Sequence, residues 1–426
     1  MAGRTQRTPR LAPEIRRAQL LDAALDLVNE SGFDAVSVGA VAERAGVTRP
    51  VLYDMFGDLE GLMLALLERE EDAAMAPLLQ IVGSEPGPDT DPEKFMVDAI
   101  RAFLEAVKDN PRTWRLVLMP PRGSSRELRA RIRRSRRLLA ERITALLDWG
   151  VERRGGPAGL DHQLLARMIV AAGEDAARLM LAHPRRYSVH RMAGMATALL
   201  ALAPPDMQRR GEPPPPVPEP VPQPGASALA VPAGQRVPRA VRREQLLNVT
   251  LALVAEEGFD ALSMEAVARR AGVNRVVVYR SFPNLQLLLV ALLRREDRRL
   301  RETLDSLLPT EPGGASPGRL LGDSLAKFLA AVISRPRTWT VALLRPESAP
   351  LALQKIVNRR RAQLAHRLEP LVRWGLGDAD GLDVEILSRM LLSIAEEQGR
   401  LALEDPEFPV KRLIESSWTL LDALPL

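Results

Sequence analysis

The sequence contains no cysteine, which excludes disulfides, thiolate metal sites and cysteine nucleophiles together. Histidine is almost as scarce. His162, His183, His190 and His366 stand far apart along the chain, so no histidine metal cluster is expected. Aromatic residues are 4% of the chain and β-branched runs are few, which removes the usual material of strands. The longest apolar runs, such as Leu285–Leu293, are too short to cross a bilayer. The N-terminal MAGRTQRTPR carries positive charge with no apolar segment behind it, so it does not read as a secretory signal. There is no phosphate-cradling glycine loop and no nucleophile elbow. These absences leave a cytoplasmic protein that is not an enzyme, with no cofactor, no metal and no membrane partner expected.

What is present is rich in Leu, Ala and Arg, a mixture that favours helices. With 426 residues, 46% hydrophobic and 27% charged, the chain should form two or more well-buried domains. A net charge of +5, with Arg far exceeding Lys, mildly favours a polyanionic partner.

The dominant feature is an internal repeat. About 32 of the 55 residues at 16–70 recur 226 positions later, so that RRAQLLDAALDLVNESGFDAVS lies over RREQLLNVTLALVAEEGFDALS. The likeness continues more faintly. PRTW at 111–114 recurs at 336–339, Trp149-Gly150 as Trp374-Gly375, and LARM at 165–168 as LSRM at 387–390. The chain is therefore two copies of a unit of roughly 200 residues. Between them lies 204–239, where 12 of the 35 prolines fall, four of them consecutive at 213–216. Proline fixes φ and removes a donor, so this stretch reads as a semi-rigid, exposed linker. At about 3.1 Å per residue, its polyproline reach is on the order of 100 Å.

Within each copy the periodicity is helical throughout. Ile15, Leu20-Leu21, Ala24 and Leu27-Val28 recur at three- and four-residue intervals up to a stop at Gly32. Ser37 then stands where an N-cap belongs, Gly46 ends a short helix, and Thr48 is expected to cap another that runs to about Phe56. Ser263, Gly272 and Asn274 repeat these signals in copy two. Longer helices are predicted near 59–82, 92–109, 124–152, 160–183 and 187–203, with counterparts after 285. Two short helices joined by a tight glycine turn, with a longer helix in front, fit a helix-turn-helix reader of the DNA major groove.

GFDAVSVGAVAERAGVTRPVLYDMF resembles the N-terminal domain of the tetracycline-repressor (TetR/AcrR) family of bacterial transcriptional regulators. The resemblance rests on Gly32-Phe33, Ser37, the AGV turn at 45–47, Tyr53 and Phe56. Copy two matches with Gly258-Phe259, Ser263, 271–273, Tyr279 and Phe282. It implies an all-α fold of two tandem units, each a helix-turn-helix head with a larger ligand-binding and dimerisation domain. The expected boundaries are an arm 1–13, head 14–72, larger domain 73–203, linker 204–239, head 240–298 and larger domain 299–426.

By the same resemblance, DNA contacts would fall at Ser37, Thr48, Arg49, Pro50, Val51, Tyr53 and Met55. In copy two they would fall at Ser263, Asn274, Arg275, Val276, Val277, Tyr279, Arg280 and Ser281. The tyrosines suit phosphate oxygens, and Arg49 and Arg275 suit either guanine edges or phosphates. Family members usually carry a lysine at the start of the next helix. Here those positions are Leu59 and Leu285, so phosphate binding must come from elsewhere. Arg4, Arg7, Arg10, Arg16 and Arg17 are candidates, with Arg236, Arg239, Arg242 and Arg243 in copy two. Residues 1–56 hold seven arginines and seven acids, while 236–282 hold eight and five, so copy one is electrostatically the poorer reader.

Other features have structural readings. The arginine-rich run 126–137 places Ile132, Ser135 and Leu139 on one face and leaves the arginines as a solvated surface. Trp114 and Trp339 read as core anchors. With Met168 and Met390 they are also the candidates for a ligand-pocket wall. Glu174-Asp175 and Glu396-Glu397 read as a pocket rim, a surface pair or a dimer contact, in place of a catalytic dyad.

The expected partners are a double-stranded DNA operator and an unidentified small-molecule effector, acting on a repressor. The late helices 160–203 and 381–424 would pack together, giving an intramolecular pseudo-dimer on an asymmetric operator, or else a homodimer of chains. The alternative is that one copy has lost DNA binding and serves as a dimerisation or ligand-sensing module.

Overall fold

The computed structural model describes residues 12–83, 86–87, 89–119, 126–203, 207–217, 237–259, 261–307, 314–343, 351–377 and 381–424. Among them are eighteen α-helices and no strand. Copy one holds α1 (Pro13–Ser31), α2 (Val38–Arg44), α3 (Arg49–Phe56), α4 (Leu59–Gly83) and α5 (Pro92–Asp109), then α6 (Pro111–Leu118), α7 (Arg126–Arg154), α8 (His162–Ala182) and α9 (Val189–Ala201). Copy two repeats them as α10 (Arg239–Glu257), α11 (Met264–Ala271), α12 (Arg275–Ser281), α13 (Leu285–Leu307) and α14 (Pro317–Ser334), then α15 (Pro336–Ala342), α16 (Leu351–Leu376), α17 (Val384–Glu404) and α18 (Val410–Ala423). No single described helix is long and apolar enough to cross a membrane.

The sequence signals act locally as their chemistry requires. Pro13, Pro92 and Pro111 open helices in the first turn, where a missing N–H costs nothing. Asp91, Asp161, Ser188, Ser316 and Asp383 cap helices by accepting backbone N–H bonds. The short helices α6 and α15 come in addition to the helices that the sequence predicts. Each starts at the proline of its PRTW tetrapeptide.

Each head has its own core. Leu20, Leu52, Leu62 and Leu66 are fully buried in the first; Leu246, Val278, Leu288 and Leu292 are their counterparts in the second. The two larger domains meet along α8 and α17, with α9 and α18 completing a four-helix contact. Ile386 of α17 lies in the cluster of Met180, Tyr187 and Met192, and Leu164 of α8 lies in that of Leu401, Phe408 and Leu413.

The linker is not simply exposed. Its residues 207–217 lie along α14 and α18 of copy two, with Met207 and Pro215 buried. Asp422, itself buried, accepts from the backbone N–H groups of Gly211 (2.9 Å) and Glu212 (3.2 Å) and from Arg209 Nε (3.3 Å). Trp418 Nε1 donates to the Glu212 carbonyl at 2.8 Å, and Arg319 donates to the Pro213 carbonyl at 2.9 Å. Proline-rich backbone keeps its carbonyls free, so donors on a neighbouring surface can hold it without any ladder.

Candidate nucleic-acid interface

The turn of each helix-turn-helix is built the same way. Gly46 and Gly272 adopt φ of +63° and +64°, the left-handed conformation that side chains resist. That reversal lets Val47 N–H reach the Ala42 carbonyl (2.9 Å) and Val273 N–H reach the Ala268 carbonyl (3.0 Å). A further brace comes from the first helix. Gln19 Nε2 donates to the Ala45 carbonyl at 2.8 Å, and Gln245 Nε2 to the Ala271 carbonyl at 3.4 Å. These glutamines satisfy the orphan carbonyl at the end of α2 and α11 and fix the turn against α1 and α10. Their equivalence in the repeat (both stand in the matching RxQLL) was the signal available in the sequence.

Ser37 and Ser263 cap their helices by accepting from Ala40 N (3.1 Å) and Ala266 N (3.0 Å). Asn274 caps α12 by accepting from Val276 N at 2.9 Å. Thr48 occupies the same place but its side chain makes no capping bond, so its hydroxyl stays exposed at the tip of α3.

On α3, Arg49, Pro50, Tyr53 and Asp54 are exposed, whereas Val51 and Met55 turn partly inward onto the head's core. On α12, Arg275, Val276, Tyr279 and Arg280 are exposed, Val277 is half-buried, and Ser281 donates to the Val277 carbonyl at 3.1 Å. Tyr53 and Val276 each keep about half their surface open, at 50% and 54%. Arg275 bridges to Glu265 at 2.5 Å on the exposed rim. In copy one Gly39 stands where Glu265 does, and Arg49 lies directly over it.

Arg17 and Arg243 lie over the rings of Phe56 and Phe282, at 4.7 and 4.2 Å from the ring centres. Arg243 also donates to the Ser281 carbonyl at 3.1 Å, closing α10 onto the end of α12. Leu59 and Leu285 pack into their head cores, which accounts for the lack of charge there. Arg4, Arg7, Arg10 and Arg236 lie outside the described residues.

PRTW is the joint between head and larger domain. Arg112 pairs with Asp26 of α1, and Arg337 with Glu256 of α10, both at 3.0 Å. Thr113 donates to buried Glu70 of α4 (2.5 Å), and Thr338 to buried Glu296 of α13 (2.7 Å). Trp114 and Trp339 point the other way, edge-on to Phe103 (5.4 Å) and Phe328 (5.1 Å) in the larger domains. One tetrapeptide thus touches both ends of its head and the core behind it. Met168 and Met390 lie where the two copies meet: Met168 beside Leu164 and Ser416, Met390 against the cluster holding Ile386 and Tyr187. The Arg-rich run is partly paired, since Arg131 bridges to Glu71 and Asp72 and Arg136 to Glu174.

Two stretches, 20–66 and 246–292, match the family model described as bacterial regulatory proteins of the tetR family. Residues 92–202 match the tetracycline-repressor-like C-terminal domain. The chain is a tandem duplicated member of the TetR family. Among curated proteins it is similar to the HTH-type transcriptional activator FasR of Mycolicibacterium smegmatis, 27% identical over 184 residues, which is 43% of this chain and 80% of that protein. It is also similar to the HTH-type transcriptional repressor KstR of Mycobacterium tuberculosis, 35% identical over 95 residues, 22% of this chain and 42% of that one. Among solved structures, a TetR-like regulator from Rhodococcus sp. RHA1 is 26% identical, covering 45% of this chain and 96% of that chain with a TM-score of 0.36. This TetR-family chain is a DNA-binding transcriptional regulator with two helix-turn-helix heads.

Proposed function

We propose that one chain acts as its own dimer, a repressor whose two unlike heads read the two unlike halves of an asymmetric operator. Each head (14–72, 240–298) would be carried by its own larger domain (73–203, 299–426), the domains paired through α8, α9, α17 and α18. The observation that carries this is the mismatch at exposed reading positions within otherwise matching heads: Thr48 against Asn274, Pro50 against Val276, Asp54 against Arg280. A two-fold dimer of identical heads reads a palindrome; two different heads in one assembly favour an operator without that symmetry. Base discrimination belongs to Arg49 and Arg275, each worth about 1–3 kcal/mol if bidentate to guanine. Tyr53 and Tyr279 donate to phosphates, and Val276 meets a thymine methyl.

Release follows from the joint. A small effector lodging beside Trp114 or Trp339 must part closely packed rings, and any shift of α6 or α15 pulls on Asp26 and Glu70 or on Glu256 and Glu296. The heads then lose the spacing that the operator demands.

A second reading is that copy one is a silent partner module, favoured by exposed Asp54 on α3, where α12 carries Arg280. Two double variants decide between them on an operator selected from random DNA. Arg49→Ala with Tyr53→Ala, and Arg275→Ala with Tyr279→Ala, should each erase protection over a different half-site. A footprint unchanged by the first pair establishes copy one as silent.

A further inference from the structure

The surfaces that join the two copies differ in a way that a duplicated dimer interface does not require. Their common frame is a quasi-two-fold pair of bridges. Arg191 Nε reaches Asp383 at 2.6 Å, and Arg412, in the same place of copy two, reaches Asp161 at 2.7 Å. Both aspartates cap their own helices at the same time, accepting from Leu164 N (3.0 Å) and Ile386 N (3.1 Å). Each arginine lies over a buried ring of its own copy, Tyr187 (5.3 Å) or Phe408 (4.5 Å), and donates to the carbonyl just before that ring at 2.9 Å.

Around this frame the two sites differ in charge. At the first, Tyr187 donates its hydroxyl to Glu385, Arg186 pairs with Glu385 at 2.8 Å, and Arg191 adds a bond at 3.1 Å. At the second, Phe408 replaces Tyr187, Glu407 replaces Arg186, and Gln163 replaces Glu385, accepting from Arg412 at 2.8 Å. We propose that this exchange is a pairing code: the larger domain of copy two accepts copy one and rejects a second copy of itself. Pairing two second copies about the same axis would set Glu407 and Phe408 against Glu385 twice, with like charges facing and no hydroxyl to donate. Pairing two first copies would set Arg186 and Tyr187 against neutral Gln163 and forfeit both charge pairs. The mixed pair alone sets Glu385 against Arg186 and the Tyr187 hydroxyl, so specificity comes from a repulsive element as well as an attractive one. In a tandem chain this disfavours like-with-like pairing between the halves of neighbouring chains.

The code rests on the pseudo-dimer reading, and the test separates the two. A protease site placed within 218–236 of the full-length protein is cleaved, the nicked protein is unfolded and refolded, and native mass spectrometry counts the three possible pairs. Residues 207–217 stay with copy one and dock on copy two, favouring the mixed pair by themselves, so the code is read in the response of the copy-two pair to substitution at Glu385. Glu385→Gln should raise the copy-two pair about tenfold by removing the facing carboxylates. A distribution that this variant leaves unchanged overturns the code and leaves pseudo-dimer formation standing. Separate halves with no mixed pair overturn both.

Discussion

Replacing Asp422 by Ala probes the linker's attachment through one buried carboxylate. Asp422 receives two backbone N–H groups, from Gly211 and Glu212, and the guanidinium of Arg209. A hydrogen bond to a charged acceptor contributes about 1.5–3 kcal/mol. The loss does not sum to its full value, because residues 207–217 can lift into water and recover solvation. The net penalty for the docked state should be about 2–3 kcal/mol, which corresponds to about 30- to 150-fold more frequent opening. Amide hydrogen exchange reads that directly at residues 211 and 212. Asp422→Asn retains one acceptor and should give a smaller effect. Trp418→Phe removes only the bond to the Glu212 carbonyl and should accelerate exchange less again. Unchanged protection at 211 and 212 in Asp422→Ala would refute the claim that this carboxylate anchors the linker.

Leu52→Ala empties a fully buried site in the first head and should cost about 2–5 kcal/mol, seen as an early step in helical circular dichroism melting. The matching Val278→Ala removes less volume and should cost less, with the second head melting early instead. Glu385 gives a pH prediction. Burial works against its charge, but donation from Tyr187, Arg191 and Arg186 outweighs burial and holds its carboxyl at about 2, below the ordinary 4.5. Its contribution to joining the halves is therefore complete above about pH 5 and is lost as pH falls through about 2. After screening at this partly solvated rim the contribution should be about 1–2 kcal/mol. Thermal midpoints compared between pH 6 and 3 should fall further for the natural protein than for Glu385→Gln.

The helices of each copy and their order were legible because periodicity, caps and glycine stops are local chemistry, and the repeat gave every signal twice. The reading heads followed from Ser37, Gly46 and Tyr53 and their counterparts for the same reason. Thr48 marked the right position without making the capping bond, since the helix start was already set by Pro50 and the glycine turn. The PRTW joint escaped because its meaning lies in Asp26, Glu70 and Phe103, residues up to 86 positions away. The linker's docking escaped for a related reason. Trp418, Asp422 and Arg319 read as ordinary helical residues until Glu212 and Pro213 are brought beside them over more than 100 positions. Periodicity carries no information about which distant backbone will need a donor.

A single chain is proposed to place two different heads on one operator. DNA selected from a random pool by the full-length protein, followed by mass measurement of the complex on the shortest retained site, tests it most directly. One 46.9 kDa chain should be bound to two unequal half-sites about one helical turn apart. Two chains bound to a perfect palindrome would contradict it.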